Sequence, residues 1–189
     1  MIDGLNVKDL TTTALPLAEL AKQYELLPMS ELCKSIDGLC NRLPRTDGEW
    51  SGEAGNSKWC PDKNVEPSDS NYSNPDNKTW KDILYEYGIE DGIPFNDGEP
   101  DFSEVSKGTV EIDNFTDKRY GKGGNFDQAD TKLAEERGCT KEEVQQWRAE
   151  NNYTWHELAD CKTMQKVPRE VHGNIAHTGG VAKYKQSMN

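Results

Sequence analysis

Three histidines, His156, His172 and His177, fall within residues 153–180, and Glu157 directly follows the first of them. They are the only histidines in the chain. Neutral imidazole is the commonest side-chain ligand for transition metals, and its unperturbed pKa lies close to physiological pH. A cluster of this kind can hold a metal ion, transfer a proton, or do both. Glu157 adds a carboxylate to the same place.

Local structure must bring these residues together. Residues 153–157 are rich in aromatic and β-branched types, 159–162 make a polar turn, and 163–167 alternate again, which predicts a β-hairpin. Pro168 suits the first turn of a helix, with Glu170 near the positive N-terminus of that helix. The expected order is strand, strand, short helix. His172 and His177 are five residues apart, not the i, i+4 spacing that puts two ligands on one helical face. His177 is therefore expected just past the helix, in a turn where Gly179 and Gly180 take positive φ. Trp155 alternates with His156 and reads as a core residue.

The segments TWHE, TMQKVPREVHG and HTGG resemble the toxin nucleases of the HNH/endonuclease VII superfamily, of the Trp-His-His or Gly-His-Glu type, found at the C-terminal ends of bacterial polymorphic toxins. The upstream run GIPFNDGEPDFSEVSKGTVEID is similar to the lead-in of such toxins, so the resemblance covers about residue 50 to the C-terminus. It implies an α+β fold with a ββα-metal (HNH-like) core at about 153–180 and a helical, loop-rich N-terminal elaboration. It also implies one divalent ion, Mg, Mn, Ni or Zn, held by His156, His172 and His177.

Two alignments of the strand end are open. In one, His156 is a ligand and Glu157 the general base; in the other, shifted by one residue, His156 is the base and Glu157 supplies a carboxylate. An imidazole near its free pKa is poised for proton transfer at neutral pH, which favours His156, whereas Glu157 would need its pKa raised by burial. The sequence departs from the HNH pattern in lacking a His-His pair and in lacking an Asn between the two strands, a role left to Gln165 or Thr163. Asp101, within EPDFS, matches a position of the related toxins and is also suited to capping a turn.

The net charge of −12 argues against a general nucleic-acid binder. From Leu158 onward, however, Lys162, Lys166, Arg169, Lys183 and Lys185 face only Asp160 and Glu170, a local balance of +3 that leaves −15 on residues 1–157. Phosphate contacts depend on local cations, so these five are the candidate nucleic-acid-binding residues, with strong salt sensitivity expected. With 33% hydrophobic and 30% charged residues, the core is expected to be small and loops plentiful. No apolar run reaches the roughly 18 residues of a membrane span, and Met1 is not followed by a recognisable signal peptide.

Residues 1–45 read as a helical arm or linker, with helices at 14–27 and 29–39, and 46–189 as the toxin nuclease domain. Residues 45–77 read as a long irregular loop wrapped on the core by Trp50 and Trp59. Residues 79–87 carry a helix that stops at Gly88, 92–100 are turn-rich, and 108–113 alternate as a strand. Gly121 to Gly124 lack the spacing of a phosphate loop and read as a hinge. Helices are expected over 125–137, closed by Gly138, and from the capping box of Thr140 and Glu143 to about Glu150. Five cysteines without a CxxC pair argue against a zinc knuckle. Cys33 and Cys40 read as thiols, and Cys161, in the hairpin turn, points away from the chemistry.

These readings converge on a metal-dependent endonuclease acting on DNA. It would be made in the bacterial cytoplasm, delivered into a target cell as part of a larger toxin, and restrained by a cognate immunity protein. An RNase toxin, or a non-catalytic zinc or nickel module using the same histidines to fold, are the alternatives.

Overall fold

The structure, a computed structural model, describes residues 42–67 and 72–188. The helices expected within residues 1–45, and Cys33 and Cys40, lie outside the described residues. The fold is mixed α+β, with two small antiparallel sheets. The first runs β1 (Gly48–Trp50), β2 (Lys58–Pro61), β3 (Ile93–Asn96) and β4 (Glu99–Pro100) in that spatial order. The second has the order β5 (Thr109–Glu111), β7 (Thr163–Pro168), β6 (Tyr153–Glu157).

The first sheet corrects the irregular loop expected over 45–77 and adds two short strands to the turn-rich stretch 92–100, where the turn lies at Asp97–Gly98. Its strands have two to four residues each, too few for alternation to stand out against the Gly, Pro and Asp around them. The tryptophans do what was expected of them. Trp50 stands opposite Trp59 in the β1–β2 register, their rings meet edge-on at 5.4 Å, and Trp50 meets Phe95 of β3 at 4.9 Å.

Helix α1 (Trp80–Glu86) starts at Thr79, whose side chain accepts from the Asp82 backbone while Asp82 accepts in return, and it buries Trp80, Ile83 and Leu84 at helical spacing. Helix α2 (Asn125–Arg137) is closed by Gly138 in the left-handed conformation, φ 65°. Helix α3 (Lys141–Glu150) starts from the expected Thr140–Glu143 capping box. After β7 comes a single turn, α4 (Arg169–His172), with Pro168 at its N-cap rather than inside it. Helix α5 (Gly180–Ser187) was not expected. Its apolar contribution is only Val181 and Tyr184, which pack against the core at i, i+3.

The β5–β7–β6 sheet separates two cores because side chains alternate across a strand. Trp155 and Met164 pack on one face against Phe126, Ala129 and Leu133 of α2. Val167 lies on the other face with Val171, Phe102, Ile83 and Trp59. Full burial of each such side chain contributes roughly 1.5–3 kcal/mol relative to exposure. Asp130 of α2 is buried within the first core, where it accepts from Trp155 Nε1 at 2.8 Å and from both Nε and Nη2 of Arg148 at 2.8 and 2.7 Å. That bond answers the indole N–H, which would otherwise be buried without a partner. Among the described residues no helix is long and apolar enough to cross a membrane.

Candidate metal centre

The β6–β7 hairpin places His156 directly opposite Gln165, and its alternation turns His156 toward the face that carries Val167. The chain then brings His172 from the last residue of α4 and His177 from the segment between α4 and α5. One possible ligand atom from each of the three residues lies within 4.8 Å of the others. His156 Nδ1 is 3.2 Å from His172 Nε2, and the three rings pair edge-on with centroids 4.8 to 5.2 Å apart. Phe102, from the EPDFS stretch, packs against all three rings at 5.0 to 5.9 Å and closes the apolar side of the cluster. Asp101 accepts from the Ser103 backbone at 2.9 Å and so caps the turn that carries Phe102.

The imidazoles are neutral. Burial pushes His156 and His172 well below the ordinary imidazole pKa, and the neighbouring rings and Arg119 add to the effect. His177 is lowered as well, chiefly by burial, with its bond to Ile175 opposing. Neutral rings keep the lone pairs that ligation requires. His177 Nδ1 donates to the Ile175 carbonyl at 2.8 Å, which leaves the Nε2 lone pair available to a metal ion. His156 Nε2 is buried with no hydrogen-bond partner. This chemistry fits a transition-metal ion: three neutral imidazoles converge on one point, and the Ile175 carbonyl sets the His177 tautomer from behind.

The mounting of His172 and His177 comes from far along the chain. Glu170, in the first turn of α4, is buried and accepts from Lys78 Nζ at 2.9 Å and from the Tyr87 hydroxyl at 2.9 Å. Asn174 donates to the carbonyls of Glu170 and Ser73 at 2.8 and 3.0 Å. The expected helix-end role of Glu170 is therefore joined by a partly buried ion pair and a hydrogen bond that anchor the turn to the residues flanking α1. The two glycines after His177 also work differently from the expectation. Neither takes positive φ: Gly179 has φ −83°. Gly180 is required by close approach, since a Cβ there would stand 2.3 Å from the Leu158 carbonyl oxygen and 3.1 Å from that of Glu157. Gly180→Ala is expected to cost about 1–3 kcal/mol through overpacking and to loosen the segment carrying His177. Denaturant unfolding combined with zinc titration of the variant checks both effects.

Glu157 faces away from the histidines, on the side of the strand that carries Trp155. It is buried, accepting from Arg119 Nε at 2.8 Å and Nη2 at 2.7 Å on one oxygen, and from Asn125 Nδ2 at 2.9 Å on the other. Asn125 is the first residue of α2 and is itself fixed by Thr116, whose backbone donates to Asn125 Oδ1. Arg119 and Asn125 had no motif to mark them in the sequence. Phe102 lay within a stretch already singled out.

Of the five candidate phosphate-binding cations, one is corrected. Lys166 stands opposite Trp155 and shares its inward face, is 1% exposed, and holds Nζ 3.9 Å from the Trp147 ring centroid. Burial and the charges of Arg137 and Arg148 bring its pKa down to about 8. Lys166 is part of the core, not of a surface that meets phosphate. Lys162 is exposed and pairs with Glu111 at 2.6 Å, Arg169 lies over Tyr72 at 4.9 Å, and Lys183 and Lys185 stand on α5. The Cys161 thiol turns to the carbonyls of Ala159 and Gly180, outside the histidine cluster.

Comparison with known families adds a finding that coincides with this geometry. Residues 93–179 match the family model for the DNase/tRNase domain of colicin-like bacteriocins. The match supports a toxin nuclease. It covers less than half of the chain, yet it spans β3 to the start of α5 and includes Phe102, Arg119, Asn125, His156, Glu157, His172 and His177. No curated protein matches the chain.

Proposed function

We propose that this chain is a metal-dependent endonuclease of the HNH type that hydrolyses phosphodiester bonds of DNA. The observation that carries the proposal is the convergence of three neutral histidines at the end of the strand whose next residue is an ion-paired carboxylate. The hairpin of β6 and β7 with α4 is read as the ββα-metal core, residues 46–189 as the nuclease domain, and 1–45 as an arm or linker.

His156, His172 and His177 are the ligands of one divalent ion, Mg, Mn, Ni or Zn. Such an ion, when bound, supplies Lewis-acid stabilisation of the phosphoryl and leaving 3′ oxygens. The grouping of His156 with the other two histidines favours the alignment in which Glu157 is the general base. Its carboxylate takes the proton of the attacking water, and Asn125 and Arg119 hold it in place. Arg119, with its side chain 44% exposed, offers its outer edge to the scissile phosphate. Phe102 excludes water from the inner side of the histidines. Lys162, Arg169, Lys183 and Lys185 contact the flanking phosphates, and their binding weakens steeply with salt.

The resemblance and the family match together support a toxin module that is delivered into a target cell and neutralised in the producer by a small acidic immunity protein, which would associate fast and in a salt-dependent way. The test is cleavage of plasmid DNA and, separately, of tRNA by the purified chain. Each substrate is tried with EDTA and after readdition of Mg²⁺, Mn²⁺, Ni²⁺ or Zn²⁺. DNA nicking that stops with EDTA and returns with a divalent ion is the expected result. Cleavage of tRNA alone replaces DNA by RNA as substrate; no cleavage of either, with metal removal unfolding the domain, leaves a structural metal module.

A further inference from the structure

Nothing so far uses Glu99, which reaches the metal centre from the other sheet. It sits on β4, is half-buried with 27% of its side chain exposed, and Oε1 accepts from the Ala159 backbone in the hairpin turn. The same oxygen lies 3.9 Å from His156 Nε2, the buried nitrogen that has no hydrogen-bond partner. The other nitrogen of that ring, Nδ1, is the one 3.2 Å from His172 Nε2.

We infer that Glu99 is a positioning residue for the metal centre: its carboxylate accepts a hydrogen bond from His156 Nε2–H and so fixes the tautomer that presents Nδ1 to the ion. The inference rests on the reading of the three histidines as ligands. The two nitrogens of an imidazole diverge, and a neutral ring carries its proton on only one of them. Nδ1 faces the other histidines, and when it gives its lone pair to an ion the proton lies on Nε2, the nitrogen that faces Glu99. The gap of 3.9 Å exceeds the upper end of the N–H···O range of 2.7–3.2 Å by about 0.7 Å. A small shift of a partly exposed carboxylate closes it once an ion draws the ring into place. Glu99 is on the wrong side of the ring to share an ion with Nδ1, which makes it a support rather than a ligand. A carboxylate behind a ligating histidine fixes its orientation and raises its basicity.

The experiment uses the full chain, with Zn²⁺ as the probe, in calorimetric titrations of the parent, Glu99→Gln and Glu99→Ala. Loss of an outer partner of this kind typically lowers metal affinity about 10–100-fold. The expectation is a drop in that range for Glu99→Ala and a smaller one for Glu99→Gln, whose amide oxygen still accepts from Ala159 and from His156. Long-range ¹H–¹⁵N spectra of the zinc-loaded parent should show His156 ligated through Nδ1 and protonated at Nε2, a signature that a purely structural role for Glu99 does not require. Ligation through Nε2, or parental affinity in both variants, overturns the inference while leaving the metal centre standing. If Glu99→Ala does not fold, Glu99→Gln and the spectra decide. A parent that binds no Zn²⁺ overturns the ligand reading itself and this inference with it.

Discussion

Glu157→Gln is expected to lower DNA cleavage by about 10²–10⁴-fold, the usual cost of losing a general base, while leaving metal binding at the parental level. At 1.36 kcal/mol for each factor of ten, that is about 3–5 kcal/mol of transition-state stabilisation. The glutamine keeps the shape of the side chain and its one amide oxygen still accepts from Arg119, but its NH2 now faces the Asn125 Nδ2 donor, so one contact is lost along with the proton acceptor. The competing role for Glu157 is a purely structural ion pair at the start of α2. Under that role the variant would lose stability yet cleave at a rate within a few-fold of the parent. Single-turnover cleavage at saturating metal, measured beside a denaturant unfolding curve, separates the two. Because Glu157 projects to the opposite face from His156, the rate loss should also be unresponsive to added metal.

The elements closest to the site were legible in the sequence because each carried an unmistakable local signal. Alternation over 153–157 and 163–167 gave the hairpin, and the i, i+5 spacing of His172 and His177 put the second past the helix. Thr140 with Glu143, and Gly138, marked the ends of α2 and α3. The second sheet face was harder to assign. Lys166 reads as a surface cation because lysine usually is one, but its place opposite Trp155 turns it inward over Trp147, where burial is offset by the ring face. Period two held; the prior on the residue type misled.

What sequence could not reach was contact between distant segments. Arg119 lies 38 residues before Glu157, Lys78 lies 92 residues before Glu170, and the Glu99 oxygen meets a backbone amide 60 residues on. None of these pairs has a spacing rule, because each depends on how two sheets and α2 come together. The glycines of HTGG illustrate the same limit. A sequence marks them as special, but positive φ and close approach call for the same residue, and only the Leu158 carbonyl against Gly180 distinguishes them.

The largest effect is expected at the proposed ligands. His172→Ala removes one of three donors, and the loss of zinc or nickel affinity should exceed the roughly 100-fold upper range seen when only an outer partner is removed. Cleavage by this variant should recover in part at high ion concentration, which Glu157→Gln cannot do, and that contrast assigns ligand and base separately. The same centre should be sensitive to acid. His156 and His172 have folded pKa values well below the ordinary 6.5, with burial as the first cause, so as pH falls through about 6.5 the unfolded chain takes up protons that the folded chain refuses. Their contribution to stability is therefore fully present above about pH 6.5 and is lost as pH falls toward the folded values. Metal affinity should fall over the same range, because protons compete for the same lone pairs. Titrating Zn²⁺ into parent and His172→Ala across pH 5 to 8, with thermal unfolding of the metal-free protein alongside, tests both claims. Overlapping zinc isotherms for the two proteins, or a metal-free fold whose stability is flat from pH 8 to 5, would remove the histidines from the metal centre or from their buried neutral state, respectively.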